Sequence, residues 1–150
     1  MRTNIDTVTP RGTIILRHLD KDGKVKEERT VKNLIVTVGR ALQAYRLIGT
    51  TKAAVTHLAL GTGIVAAAAA NTLLGAETHR GAVTPTIVTT TNASDTAQFA
   101  ATFVFDDTFA ITEAALLNAD AVGDMLSRQV FAAINVVNLD ALEVIWKIQY

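Results

Sequence analysis

From Val83 to the C-terminus, apolar and polar residues alternate with a period of two, the pattern of strands with one buried face. The alternation is clearest at Thr96–Phe105. Ala97, Phe99, Ala101, Phe103 and Phe105 fall on one side there, and Gln98 and Thr102 on the other. Leu142, Val144, Trp146, Ile148 and Tyr150 make a second such face, opposite Glu143, Ile145, Lys147 and Gln149. Further strands are predicted at Val83–Thr91, Phe109–Leu117 and Met125–Ala133. Turns at Asn92-Ala93-Ser94-Asp95 and Asp106-Asp107, and a loop at Asn118–Asp124, separate them.

Upstream the period changes. Val38, Ala41, Leu42, Tyr45 and Ile48 recur at helical spacing, so a helix is predicted over Thr37–Ile48, capped by Thr37 and ended by Gly49. Before it, Gly12–Leu19 and Lys24–Val31 read as a hairpin turning at Asp20-Lys21-Asp22-Gly23. Residues 1–11 read as an N-terminal arm.

Between the helix and the alternating half lies Thr56–Arg80, the hinge of the chain. A strand at Thr56–Leu60 breaks at Gly61-Thr62-Gly63, and a small-residue run follows at Ala66–Ala70. Asn71 or Thr72 then caps a short turn through Leu73 and Leu74 that stops at Gly75. Seven or eight strands with one helix predict a mainly β fold. The expected architecture is an antiparallel, jelly-roll-like β-sandwich over residues 12–150, with the helix packed across it. Its core should be Phe99, Ala101, Phe103, Val144, Trp146 and Ile148, closed by Leu42 and Tyr45.

Composition narrows the chemistry. Apolar residues are 49% of the chain but aromatics only 5%, so the core must be largely aliphatic. The absence of cysteine excludes disulfides and thiolate metal sites. No stretch of about 18 apolar residues is present, and the N-terminal residues lack an apolar signal core, so an unexported cytoplasmic product without a membrane partner is expected. The zero net charge conceals a segregation. Residues 1–52 carry eleven Lys or Arg against five acids, and residues 53–150 carry three against nine. This suggests that the basic hairpin, through Arg17, Lys21, Lys24, Lys26 and Arg29, contacts an acidic partner. Nucleic acid fits poorly, because Asp20, Asp22, Glu27 and Glu28 interleave with the cations and no aromatic lies among them.

No constellation points to catalysis. Gly61-Thr62-Gly63-Ile64-Val65-Ala66 matches a loose dinucleotide pattern, but the segment after it is too short for a crossover helix and no acid follows at the required distance. His18, His57 and His79 are scattered. Glu77 and Arg80 read as a structural ion pair tying a loop to a strand. Asp106-Asp107 and Asp120/Asp124 lack the ligand density of a calcium loop. No nucleophile–base set is apparent. Neither enzyme activity nor a cofactor or metal is expected.

The order of segments is more informative than any one of them. Asn33-Leu34-Ile35-Val36 leads into Val38-Gly39-Arg40. Leu58-Ala59-Leu60-Gly61-Thr62-Gly63 and Asn71-Thr72-Leu73-Leu74-Gly75-Ala76-Glu77 with Arg80 follow. Then come Ile111-Thr112-Glu113-Ala114-Ala115-Leu116-Leu117, Leu126-Ser127-Arg128-Gln129-Val130-Phe131 and Leu142-Glu143-Val144-Ile145-Trp146-Lys147-Ile148. This ordered set, over residues 31–150, resembles small structural proteins of tailed bacteriophages, of the head-decoration, tail-fibre or baseplate kind. The resemblance implies a non-catalytic virion component made in the host cytoplasm. A capsid decoration (cement) protein is the expectation, bound to the major capsid protein or other virion proteins as a homo-oligomer, with a trimer favoured. A tail-fibre or baseplate module for host attachment is the alternative. Exposed aromatics suited to stacking on sugars are few, which favours decoration.

Overall fold

The period-two segments pair into two five-stranded antiparallel sheets in the computed structural model, which describes residues 9–49 and 51–150. In chain order the elements are β1 (Arg11–Leu19), β2 (Val25–Lys32), β3 (Leu34–Ile35), α1 (Thr37–Leu47), β4 (His57–Gly61) and β5 (Glu77–Ala82). These are followed by β6 (Thr84–Val88), β7 (Thr96–Val104), β8 (Phe109–Leu117), β9 (Met125–Val136) and β10 (Ala141–Gln149). One sheet has the order β2-β1-β10-β7-β6 and the other β3-β9-β8-β4-β5. The first and last long strands are therefore neighbours inside one sheet, with Thr13 opposite Lys147 and Arg17 opposite Glu143. The chain is mainly β, a sandwich with one helix.

The inner faces are those that the alternation predicts. Ile14 and Leu16 of β1, Phe99 and Phe103 of β7, and Leu142, Val144, Trp146 and Ile148 of β10 are buried against Leu58, Leu60, Ile111, Leu116 and Ile134 of the facing sheet. Tyr45, expected to close the core, and Tyr150, expected on the inner face of the last strand, are not buried. Tyr45 is 46% exposed and Tyr150 53%. The helix meets the sandwich through its first half, where Gly39 and Leu42 are buried, and its second half projects outward, leaving Leu47 and Ile48 largely exposed. Tyr45 accordingly lies beside Lys52, whose Nζ is 5.9 Å from the ring centroid. Tyr150 follows the last rung of β10, and its hydroxyl accepts a hydrogen bond from Gln43 Nε2 at 2.6 Å.

Gly39 explains why the helix can sit so close. A Cβ at this position would lie 1.9 Å from the carbonyl oxygen of Leu126, so only a residue without a side chain lets α1 rest on the backbone of β9.

Three segments differ from expectation. Residues Glu77–Ala82 form β5, an edge strand that pairs with β4 where no strand was predicted. The Val83–Thr91 strand contracts to β6. All of β8 from Ile111 to Leu117 is buried, on both faces. Its inner face joins the main core. Ala115 and Leu117 join a second cluster with Val36, Ala59, Leu74 and Met125, beneath the segment that links β4 to β5. The predicted arm falls mostly on residues 1–8, outside the described residues, and Arg11 already belongs to β1.

Candidate functional site

Two lone charges lie under the β4–β5 connection. Glu113 is the single acid of β8 and Arg128 the single base of β9, each in an otherwise apolar or neutral strand. Both are removed from solvent, Glu113 completely. Arg128 stands opposite Ala115 in the β8–β9 ladder, one diagonal step from Glu113, so the side chains share the outer face of the sheet. Arg128 donates from Nε and Nη2 to Glu113 Oε2 at 3.1 and 2.8 Å.

The rest of each group is directed at the connection. Glu113 Oε1 accepts the backbone N–H of Gly63 and Ala76 at 3.0 and 2.7 Å, and Oε2 accepts that of Gly75 at 3.0 Å. Arg128 Nη2 donates to the Val65 carbonyl at 3.0 Å, and Nη1 to Asn71 Oδ1 at 2.8 Å and the Ala66 carbonyl at 3.4 Å. All five guanidinium donors and both carboxylate oxygens are therefore occupied. Burial opposes the charge of Glu113. The amides of Gly75 and Ala76, Arg128 and the Gly63 amide outweigh it, so the carboxyl is held below the usual carboxylate range.

This explains the glycine pair without a nucleotide. A Cβ on Gly63 would come within 2.4 Å of the Glu113 carboxylate, and one on Gly61 within 2.4 Å of the Ala76 carbonyl oxygen. The Gly-Thr-Gly turn lets the backbone approach a buried carboxylate. Thr112 adds a further tie, its hydroxyl donating to the Gly63 carbonyl at 2.8 Å.

A saturated, dry ion pair has no free proton site with which to do chemistry, but it fixes a loop. From Gly61 to Ala76 the chain has no charged residue. Ile64, Val65 and Leu73 are 79%, 75% and 67% exposed, and Ala66, Ala68, Ala69 and Ala70 are exposed with them. The result is an outward-facing, uncharged, apolar loop. Six hydrogen bonds to two buried side chains hold it from below.

The residues that the sequence singled out are distributed differently. Arg17 pairs with Glu28 and Glu143, Lys26 with Asp140, and Arg29 with Glu27 while donating to the carbonyls of Ala132 and Ala133. Lys21 and Lys24 stay exposed at the hairpin tip. Glu77 and Arg80 form a bidentate pair at 2.7 Å for both bonds, and Arg80 Nη1 also donates to the carbonyls of Ala119 and Val122. This anchors the β8–β9 loop. His18 is buried, its Nε2 2.7 Å from Asp140 Oδ2. His79 packs edge-on against Phe105 and Phe109. Lys52 reaches Asp124 at 2.6 Å. Among the described residues no three His, Asp or Glu side chains gather as a metal site would require. No described helix is long and apolar enough to cross a membrane.

Sequence reasoning missed the Glu113–Arg128 pair, although both residues lie in the quoted segments. The available signal was a single charge of each sign inside two consecutive predicted strands that are otherwise uncharged. The chain matches no family model, and no curated protein or solved structure is detectably similar to it.

Proposed function

We propose that the chain is a non-catalytic structural component of a tailed-bacteriophage virion, a decoration protein that binds the head shell through the loop at 61–76. One observation carries this reading. The separate segments on which the phage resemblance rests, Gly61–Gly63, Asn71–Ala76, Glu113 and Arg128, converge in space on a single fastener. Their convergence has an architectural result, the rigid presentation of an apolar loop. A rigid apolar surface loses little conformational entropy on docking, so more of its burial is available as binding free energy. A capsid subunit is the partner that such a loop suits, since a shell offers repeated copies of one complementary surface.

The test is gold-labelled antibody against the protein, imaged by electron microscopy on intact particles of the phage that encodes it. Label spread over the head is the expected result. Label confined to the tail or baseplate would replace decoration with the tail-module reading. Particles without label, while the protein is abundant in the lysate, would overturn the virion assignment.

A further inference from the structure

The outer face of the β2-β1-β10-β7-β6 sheet holds a second site, at the end away from the neutralised Arg17 ladder. One rung runs Lys32 (β2), Thr13 (β1), Lys147 (β10), Gln98 (β7) and Thr86 (β6) across all five strands. Residues opposite one another in an antiparallel sheet share a face, so two lysines flank Thr13 on the same side. Arg11 lies on that face too, opposite Gln149 and one step along from Lys147. Arg11, Thr13, Lys32, Lys147 and Gln149, with Thr90 and Thr96, line a cleft of about 580 Å³.

The charge in this cleft is unbalanced. Arg11, Lys32 and Lys147 have neither an ion pair nor a side-chain hydrogen bond among the described residues, whereas Arg17 on the same face has two acids. Among the described residues no acid lines the cleft. Asp95 is the nearest in sequence to the lining residues, adjoining Thr96, and its carboxylate is committed. It accepts the N–H groups of Thr90, Thr91 and Asn92, the Thr96 hydroxyl and Gln149 Nε2, all within 3.0 Å. Hydrogen bonds from Asn92, Thr90 and Thr91 hold its pKa well below the usual range. Three uncompensated cations in one concave place are the electrostatic counterpart of an anionic ligand.

We infer that this cleft binds an acidic segment of a partner protein, presented in extended form. The spacing favours several separate carboxylates over one compact anion. Two strand intervals separate the lysine-bearing strands, about 9–10 Å at the backbone, and the cleft has no helix N-terminus or glycine nest to cradle a phosphate. Two of the three cations are lysines, point charges on flexible stems suited to carboxylates spaced along a strand. Nucleic acid is disfavoured because no aromatic side chain lines the cleft for base stacking. The inference does not depend on whether the chain serves in a particle.

The experiment titrates the isotopically labelled full chain with hexaglutamate, inorganic phosphate and a short single-stranded oligonucleotide, following amide signals by NMR. Hexaglutamate should shift Thr13, Lys32 and Lys147 saturably. Its affinity should fall about tenfold when salt rises from about 0.05 to 0.3 M, as screening requires. Lys32→Gln with Lys147→Gln should weaken it by a further order of magnitude or so. Lys21→Gln with Lys24→Gln, at the exposed hairpin tip, should leave it within about twofold. All four lysines point outward, so the unshifted remainder of each spectrum reports that the variants fold. Absence of saturable shifts at these residues, or a loss confined to the hairpin-tip variant, would overturn the site. Phosphate binding as tightly as the peptide would overturn the extended ligand. Stronger binding of the oligonucleotide would reassign the cleft to nucleic acid.

Discussion

Glu113 decides more of this molecule than any other residue. A carboxylate without solvent exposure survives because five hydrogen bonds replace its water, and three of them come from backbone amides that the connection itself needs to satisfy. Glu113→Gln would turn an acceptor into a donor facing those amides and leave Arg128 buried without its counter-ion. The expected cost is about 3–5 kcal/mol, the usual penalty for breaking a buried pair from one side. Hydrogen exchange at Gly63, Gly75 and Ala76 should accelerate beyond the global change. The sign of the pH dependence follows from the depressed pKa. The stabilisation is complete above the unfolded Glu value of about 4.3 and is lost as pH falls through the lower folded value. Asp140 acts in the same sense. Burial raises its pKa, but His18, the Val137 amide and Lys26 lower it further. Chemical denaturation across acid pH should therefore show wild-type stability collapsing below about pH 4, with a shallower fall in Glu113→Gln. Parallel curves would remove Glu113 from the account. At this scale the sequence displayed the lone Glu and the lone Arg. Their pairing depends on a register shift in β8–β9 between Ile111 and Glu113, which no local pattern encodes.

Elements were legible in proportion to the contrast between their two faces. β7 and β10 alternate cleanly and fold as the alternation says, because one face meets the core and the other meets water. β8 reads Ile-Thr-Glu-Ala-Ala-Leu-Leu and gives no alternation. The connection above it makes both of its faces internal, and that covering is a tertiary fact. The helix stripe suffered the reverse error. Val38, Ala41, Leu42, Tyr45 and Ile48 read as one face in the sequence, but of these only Leu42 is buried and Val38 half-buried, so periodicity overstated the burial of Ala41, Tyr45 and Ile48. Gly39 gives an element-scale test in which propensity and packing predict opposite signs. In an unsupported helix Gly→Ala stabilises by about 1 kcal/mol. Here the added methyl meets the Leu126 carbonyl, so Gly39→Ala should instead destabilise by about 1–3 kcal/mol, the range for overpacking. A thermal melt distinguishes them, and a raised midpoint would mean that α1 does not rest on β9.

For the whole molecule, the charge segregation along the chain does not become a segregation in space. Bases of residues 1–52 pair with acids of residues 53–150, Arg17 with Glu143, Lys26 with Asp140 and Lys52 with Asp124. Part of the sequence asymmetry is thus consumed in closing the sandwich, and three of the five hairpin cations proposed for partner contact have acid partners within the chain. The basic cleft and the apolar loop over Glu113 are among the surfaces that stay uncompensated by the described residues. The loop carries the central claim, and particle binding tests it most directly. Ile64→Asp, Val65→Asp and Leu73→Asp can be combined, since all three side chains face solvent and the fastener beneath them is untouched. Purified wild-type protein added to particles lacking it should saturate at a fixed number of copies. The triple variant, with an unchanged thermal midpoint, should bind at least about tenfold more weakly. Equal saturation by both proteins would contradict the account and leave the loop as surface that no shell subunit touches.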